Sequence, residues 1–229
     1  NNLVSLYVIP EDNSLSSVFE GLDLNGILGE GNAAALIDGS WYGSLDAVDA
    51  YSGYWVQLNS EGQNVDVCGD PSDDIMYTLH DANNLVSYSY GGSQSIGDAL
   101  PDETQDALYA IVGEGIASIN LNGFWAGSLN SFEGGNGYWL ARSAGGDDIE
   151  FQYNAPGAGD ARLFSNELPV VPAEYNYTQS TLQGFYFVDA IEVDGEEISD
   201  NSWILAYNEG VIVGARMWNG AYTDIPAMG

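Results

Sequence analysis

The chain has 229 residues with 45% apolar and 12% aromatic side chains, a composition typical of globular proteins. Three arginines and no lysine stand against 34 acidic residues, so the net charge of −31 excludes nucleic acids and anionic membrane faces, which such a surface repels. No apolar run approaches the roughly 18 residues of a membrane-spanning helix, and Cys68, the only cysteine, cannot form an internal disulfide.

An internal duplication organises the N-terminal part of the chain. Three motifs recur 84 positions later: Ile27–Gly31 as Ile111–Gly115, the Trp-x-Gly-Ser-Leu motif of Trp41 at Trp125, and the Gly-Tyr-Trp motif of Gly53 at Gly137. The lead-in Asn1–Ser5 recurs 82 positions later as Asn83–Ser87. The duplication predicts two homologous modules, at 1–74 and 75–154, and argues against a single site built once.

The first repeat is predicted to start with a strand from Leu3 to Ile9, which Pro10 ends. Ser14 is a typical helix N-cap, and the apolar residues after it follow helical spacing. Glu30, between two glycines, is predicted to lie in a turn. The further predicted elements are a strand at Ala33–Ile37, a hairpin turn at Asp38-Gly39, a strand at Tyr54–Leu58, and an alternating strand at Val65 and Val67.

The second repeat is predicted to follow the same plan. Its predicted elements are a pairing segment from Met76 to Leu79, a strand from Leu85 to Tyr90, a short helix from Ser95 to Leu100 that Pro101 stops, a turn around Glu114, and a closing strand with Ile149 and Phe151.

A linker rich in proline and glycine is predicted at 155–173, followed by a third, unrelated unit at 174–229. Strands are predicted around Phe187, at 190–193, at 203–207 and at 211–213, and the unit ends at Met228-Gly229 without a predicted closing element. We therefore expect it to be truncated or completed by another chain. The predicted fold is mainly β with short helices: two homologous small β-rich repeats followed by a third, partial β-sandwich-like unit.

The repeated Trp-x-Gly-Ser-Leu and Gly-Tyr-Trp motifs, together with Asn-Asn-Leu-Val-Ser and Gly-Glu-Gly, resemble a module of large multidomain surface proteins. Such proteins are exported by the type IX secretion system of marine bacteria. The third unit resembles other modules of these proteins through Asp194-Gly195, Trp203-Ile204 and Val213–Arg216. The resemblance implies a secreted, cell-surface location and indicates no particular activity.

Catalytic chemistry finds little support in the residue types. His80 is the only histidine and is predicted to lie in a turn, so a Ser-His-Asp or Cys-His site would have to use it. Four nitrogen or sulfur ligands for zinc are not available, and without lysine there is neither a phosphate-binding P-loop nor a Schiff base. A hydrolase that uses the duplicated Glu30 and Glu114 stays open as a hypothesis. We expect no catalytic residue and no organic cofactor.

Calcium is the ion that the acidic turns could hold, because it prefers six to eight oxygen ligands. The candidate ligands form three groups: Asp70, Asp73 and Asp74; Asp147 and Asp148; and Asp194, Glu197 and Asp200. Their spacing matches no EF-hand loop, so solvated acidic turns are the alternative. The flat faces of Trp41, Tyr42 and Trp125 are candidates for stacking on sugar rings, although recurring aromatics also suit a shared core.

The function that we predict is an extracellular structural or adhesive surface module. Its expected partners are other copies of itself or other surface proteins, in assemblies such as filaments that form by strand addition, with no membrane insertion. A carbohydrate-binding module of a larger secreted enzyme or adhesin is the alternative.

Overall fold

The structure, a computed structural model, describes residues 1–157 and 166–229 and confirms the predicted fold class, mainly β with short helices. The predicted linker at 155–173 lies partly outside the described residues. Its described part contacts the second repeat through Asn166, whose Oδ1 accepts a hydrogen bond from the amide of Asn130 and whose Nδ2 donates to the carbonyl of Ser131, at 2.8 and 2.9 Å.

A five-stranded antiparallel sheet forms the first repeat. Its strands are β1 (Asn2–Ser5), β3 (Leu24–Leu28), β4 (Ala33–Ile37), β5 (Ser40–Gly43) and β6 (Gly53–Leu58), in the order β1-β6-β3-β4-β5. Beside it lie helix α1 (Leu15–Val18) and the pair β2 (Val8–Pro10) and β7 (Gly69–Pro71). The predicted N-cap is confirmed, because Ser14 Oγ accepts a hydrogen bond from the amide of Ser17.

The second repeat has the same sheet order. Its strands are β9 (Asn83–Ser87), β11 (Leu108–Val112), β12 (Ala117–Leu121), β13 (Phe124–Gly127) and β15 (Gly137–Arg142), in the order β13-β12-β11-β15-β9. Two pairs and two helices surround this sheet: β8 (Tyr77–Leu79) with β16 (Ile149–Phe151), β10 (Ser93–Ser95) with β14 (Ser131–Glu133), α2 (Ile96–Ala99) and α3 (Asp102–Ala107). Pro101 ends α2 as predicted, but it also begins α3, which the sequence pattern missed.

Aromatic rings fill the core of the second repeat. Their centroids lie 4.8 to 5.7 Å apart in stacked and edge-to-face pairs, and the rings belong to Tyr77, Tyr88, Phe132, Tyr138, Phe151 and Tyr153. The core of the first repeat is aliphatic in comparison, with Leu15, Ile27 and Val56 packed around Tyr54. The two sheets therefore have the same order of strands, but different kinds of side chain form the cores of the two repeats.

Two strand predictions in the first repeat are wrong at particular residues. The strand from Leu3 to Ile9 is broken after Ser5, because the Ser5 amide bonds to the carbonyl of Gly135 in the other repeat. Residues 65–67 are not a strand, because none of the strands in residues 1–157 and 166–229 pairs with them. The hairpin turn is confirmed: Asp38 and Gly39 have φ values of 49° and 76°, which the mirror-image hairpin turn requires.

The third unit consists of three two-stranded antiparallel pairs. These are β17 (Gln183–Val188) with β22 (Thr223–Met228), β18 (Glu192–Val193) with β19 (Glu196–Glu197), and β20 (Trp203–Asn208) with β21 (Val211–Met217). The prediction that no closing element precedes Met228 is therefore wrong. Pro226 makes β22 hard to recognise from the sequence, because proline has no amide hydrogen to donate to a neighbouring strand. Within its sheet β22 pairs only with β17, so the missing amide of Pro226 is tolerated.

A buried ion pair fixes the third unit on the second repeat. Asp224 Oδ1 accepts the amide of Ser128 at 2.8 Å, and Asp224 Oδ2 accepts the Ser128 hydroxyl at 2.7 Å and the guanidinium of Arg216 at 3.2 Å. Arg216 also donates to the carbonyl of Gly115 at 2.6 Å. Burial raises the pKa of Asp224, and Arg216 and the Ser128 hydroxyl oppose that rise. The pair is inaccessible to water, so each member depends on the other.

Replacing Asp224 with asparagine keeps the shape of the side chain but leaves Arg216 buried without a counter-charge. We expect Asp224→Asn to lower the free energy of unfolding by about 3–5 kcal/mol, the usual effect of removing one partner of a buried pair. The measurement is denaturant unfolding followed by fluorescence. Asp200→Asn, an exposed carboxylate of the same unit, changes the charge equally and is expected to stay within about 0.5 kcal/mol. Equal effects of the two variants would contradict this account.

Candidate functional site

Each of the duplicated glutamates, Glu30 and Glu114, contacts the other repeat. The region where the two repeats touch is called the junction. Glu30 Oε2 accepts the amide of Leu85 at 2.7 Å, and Glu114 Oε2 accepts the amide of Leu3 at 2.8 Å. Leu3 and Leu85 occupy the same place in their repeats, as do Glu30 and Glu114, so the two contacts are copies of each other. This reciprocity is the mark of a local twofold axis between the repeats.

Backbone contacts repeat the same symmetry. The Ser5 amide donates to the carbonyl of Gly135 at 2.8 Å, and the Ser87 amide donates to the carbonyl of Tyr51 at 2.9 Å. Isolated antiparallel bridges then join Val4 with Asn136 and Ser52 with Val86. Because β1 and β9 are the outermost strands of their sheets, these bonds satisfy edge groups that would otherwise stay unpaired.

The Gly-Tyr-Trp motif builds the middle of the junction. Trp55, only 3% exposed, packs with Leu3 and Leu85, and Trp139 lies against this group. Tyr54 Oη accepts the amide of Asp49 at 2.9 Å, and burial raises the pKa of Tyr54 to about 12. The same contact recurs between Tyr138 Oη and the amide of Glu133 at 2.7 Å. The recurring motif therefore serves packing and docking.

His80 is joined to the junction through Glu30. Its Nε2 lies 2.5 Å from Glu30 Oε1, and its Nδ1 lies 2.5 Å from the carbonyl oxygen of Asp81. Both ring nitrogens thus face acceptors, an arrangement that only the doubly protonated imidazolium can satisfy. The Asp81 carbonyl and the Glu30 carboxylate accordingly raise the pKa of His80 above its ordinary value of 6.5.

Glu114 has a different environment from its counterpart. Desolvation raises the pKa of its carboxyl, and the Leu3 amide and the N-terminal ammonium oppose the rise, although the residue as a whole remains exposed. Glu30 contacts a histidine, whereas the Leu3 amide and the N-terminal ammonium are the groups that favour the charged form of Glu114 among the described residues. The sequence pattern identified both as turn residues but could not indicate that each turn holds the other repeat.

The three aromatic candidates for sugar binding are not brought together. Trp41 on β5 and Trp125 on β13 are half-buried against the cores of separate repeats, and Trp125 Nε1 donates to Gln105 Oε1 at 3.0 Å. Tyr42 is 60% exposed and lies on the opposite face of β5 from Trp41. Only Tyr42 among the three presents a largely open ring.

The acidic candidates for calcium binding are spread over turns and strand ends. Asp70 lies on β7, Asp73 and Asp74 in the turn before β8, Asp147 and Asp148 before β16, Asp194 in the turn after β18, Glu197 on β19, and Asp200 beyond it. Among residues 1–157 and 166–229, no group of three or more histidine, cysteine, aspartate or glutamate side chains is close enough to hold a metal. Calcium binding stays a prediction.

Sequence reasoning missed the structural role of the arginines. Arg142 is buried and donates to the carbonyls of Leu79 and Asp147 at 2.6 and 2.8 Å, which holds the end of the loop before β16 against the end of β8. Arg216 holds the third unit in place. In a chain with three arginines and 34 acids, an arginine in a strand was itself a signal of burial with a fixed partner.

No protein-family model, curated protein or solved structure matches the chain. In the part of the chain that the structure describes, no helix is long and apolar enough to cross a bilayer.

The junction predicts a strict requirement for glycine. A methyl group on Gly53 would lie 2.8 Å from Leu85 Cδ1, and one on Gly137 would lie 3.0 Å from Val4 O and 3.1 Å from Gly53 Cα. We expect Gly137→Ala to lower the free energy of unfolding by about 1–3 kcal/mol, because its methyl group would press on the backbone of both Val4 and Gly53. Gly53→Ala is expected to cost less, because Leu85 Cδ1 is the end of a flexible side chain that can turn aside. Gly97→Ala in α2, where nothing lies within 4 Å, is the matched control and is expected to be neutral or stabilising. Chemical denaturation measures all three.

The His80–Glu30 contact predicts a defined pH dependence. Because folding raises the pKa of His80, its stabilisation is fully present below about pH 6.5, the unfolded value, and is lost as the pH rises through the folded value. The difference in melting temperature between the chain and its His80→Ala variant should therefore shrink as the pH rises above about 6.5. Glu30→Gln keeps an acceptor for Leu85 but removes the charge, so it should flatten the same dependence. A difference that grows with pH would contradict this assignment.

Proposed function

We propose that the chain is a non-catalytic structural module of an extracellular or cell-surface protein, which assembles with copies of itself or with other surface proteins. The observation that carries the proposal is the reciprocal contact of Glu30 and Glu114 with Leu85 and Leu3. The two duplicated acids and the single histidine, the groups best suited to chemistry, are engaged in holding the repeats together.

The distribution of charge supports the same role. Both arginines that the structure describes are buried, so the charged groups on the accessible surface of residues 1–157 and 166–229 are mostly carboxylates. A surface of one sign stays soluble but repels its own copies, unless salt screens it or divalent cations bridge it. We therefore propose that calcium promotes assembly by neutralising acidic turns.

A single preparation tests these statements. Size-exclusion chromatography and negative-stain imaging compare the chain in calcium, in magnesium, and in sodium chloride of equal ionic strength, with a chelator as reference. We expect larger particles in calcium than in the matched salt, because bridging requires a divalent ion with flexible coordination. A strictly monomeric particle in every condition would overturn assembly. Equal effects of calcium and the matched sodium chloride would overturn a specific calcium role and leave screening as the cause.

The same protein is incubated with a panel of polysaccharides, with bound protein and released reducing ends measured together. Released ends that disappear in Glu30→Gln or Glu114→Gln would overturn the non-catalytic role. A carbohydrate-binding function is the second candidate, and the exposed ring of Tyr42 favours it. Retention that Tyr42→Ala abolishes would establish that function. Tyr207→Ala, a ring with the same 60% exposure on the third unit, is the matched control.

A further inference from the structure

A cavity lies between the second repeat and the third unit. Its volume is about 330 Å³, at the lower end of the range for small-molecule sites. The second repeat contributes the turn after β13, the third unit contributes the loop between β21 and β22, and residues 167–169 also line the cavity. Amide and aromatic side chains stand together in its walls: Asn130, Asn201, Asn219, Trp218 and Tyr222.

The loop between β21 and β22 has an unusual backbone conformation. Tyr222 has a φ of 64°, in the left-handed region that a bulky side chain rarely adopts. The Thr223 hydroxyl donates to the carbonyl of Gly220 at 2.7 Å and accepts the amide of Asn219 at 3.1 Å, which fixes the loop from within. Backbone strain of this kind is found at ligand clamps, where it holds side chains in position before a ligand arrives. The strain therefore favours a binding role for the loop.

Two asparagine side chains at the cavity are free to bond to a ligand. Asn201 and Asn219 are exposed, and neither side-chain amide has a hydrogen-bond partner among residues 1–157 and 166–229. Their backbone is fixed nearby, because the Trp218 amide donates to the carbonyl of Ser202 at 2.7 Å and the Asn201 amide donates to the carbonyl of Trp218 at 3.3 Å. Each side-chain amide offers two donor hydrogens and an acceptor oxygen. Such groups suit hydroxyls, which both donate and accept.

The charged groups at the cavity are engaged within the chain. Arg216 and Asp224 line it and form an ion pair with each other. Glu167 also lines it and has a partner of its own. The net charge of −31 repels anionic ligands. These observations favour a neutral ligand that carries several hydroxyl groups and an apolar face, and a sugar ring has both.

We propose that this cavity binds a neutral sugar, whose hydroxyl groups bond to the side-chain amides of Asn201 and Asn219 and whose ring packs against Tyr222. The site is separate from the exposed ring of Tyr42, which lies on β5 of the first repeat. The inference goes beyond the proposed structural role, because it gives the chain a carbohydrate ligand in addition to protein partners. Assembly and sugar binding can each fail without the other.

The probes are neutral disaccharides built from glucose, galactose, mannose and xylose. Each is titrated into the full chain and followed by calorimetry. We expect at least one of them to bind saturably, with one molecule bound per chain, because the cavity is single and its loop is already in position. Absence of saturable binding by all of these disaccharides would overturn the inference.

Two variants locate the bound sugar. Asn219→Ala removes an amide without a partner in the described chain, so the melting temperature should stay unchanged. Tyr222→Gly removes a half-buried ring but relieves the left-handed backbone, so the two effects on stability oppose each other. We expect each variant to weaken binding about tenfold or more. Unchanged affinity in both variants would overturn the cavity as the site, whatever their melting temperatures.

Tyr42→Ala is the matched control, because it removes an exposed ring that does not line the cavity. We expect it to change the affinity less than about twofold. Binding that is lost in Tyr42→Ala and retained in both cavity variants would overturn the inference and place the sugar on the first repeat. An assembling chain that binds no disaccharide would lose this site and keep the structural role. A chain that stays monomeric but binds a disaccharide through Asn219 would keep this site and lose assembly.

Discussion

The exchange of carboxylates across the junction is the contact on which the arrangement of the repeats depends. Each repeat ends its sheet with an edge strand, β1 or β9, and each edge needs partners for its outward amides. Glu30 and Glu114 supply them across the local twofold axis, and the close backbone approach at Gly53 and Gly137 brings the two edges within reach. Two edges that could each attract a foreign strand therefore close one another. The duplicated residues therefore hold the two repeats against each other as well as forming the core of each repeat.

The edge strands on the other side of the two sheets, β13 and β5, have different neighbours. Beside β13, the third unit inserts Asp224 against Ser128 and the amide of Ala117, and it buries Ala117 and Ala126. Beside β5, the corresponding Ala33 is exposed, the place of Ala126 is taken by the exposed Tyr42, and Ser44 bonds back to Ala33 instead of to a carboxylate. A small residue is required where a neighbouring unit packs, and a large exposed one is tolerated where none of the described residues does. The asymmetry between the copies follows from their contacts and leaves their common plan intact.

Local signals in the sequence predicted local structure well. Ser14 caps α1, Asp38-Gly39 forms the hairpin turn, and Ala33–Ile37 forms a strand with the predicted bounds, because each depends on neighbours a few residues away. Contacts between distant segments were not predictable from one sequence. Glu30 finds Leu85 across 55 positions, and the correct alternation of Val65 and Val67 does not make a strand, since a strand exists only with a partner. The candidate site shows the same limit: the residue types excluded most chemistry, but they could not indicate that the repeated motifs face each other.

The two repeats differ in the side chains at the positions that surround β8 in the second repeat. Phe151 and Tyr153, which pack on Tyr77, correspond to Val67 and Gly69, and Arg142, which staples the end of β8, corresponds to Leu58. Three large side chains that hold β8 are thus replaced by smaller or apolar ones in the first repeat. Residues 65–67 lie beside a groove of about 520 Å³, and Val65 is exposed. The two repeats therefore share one order of strands, while the side chains that pack around it differ.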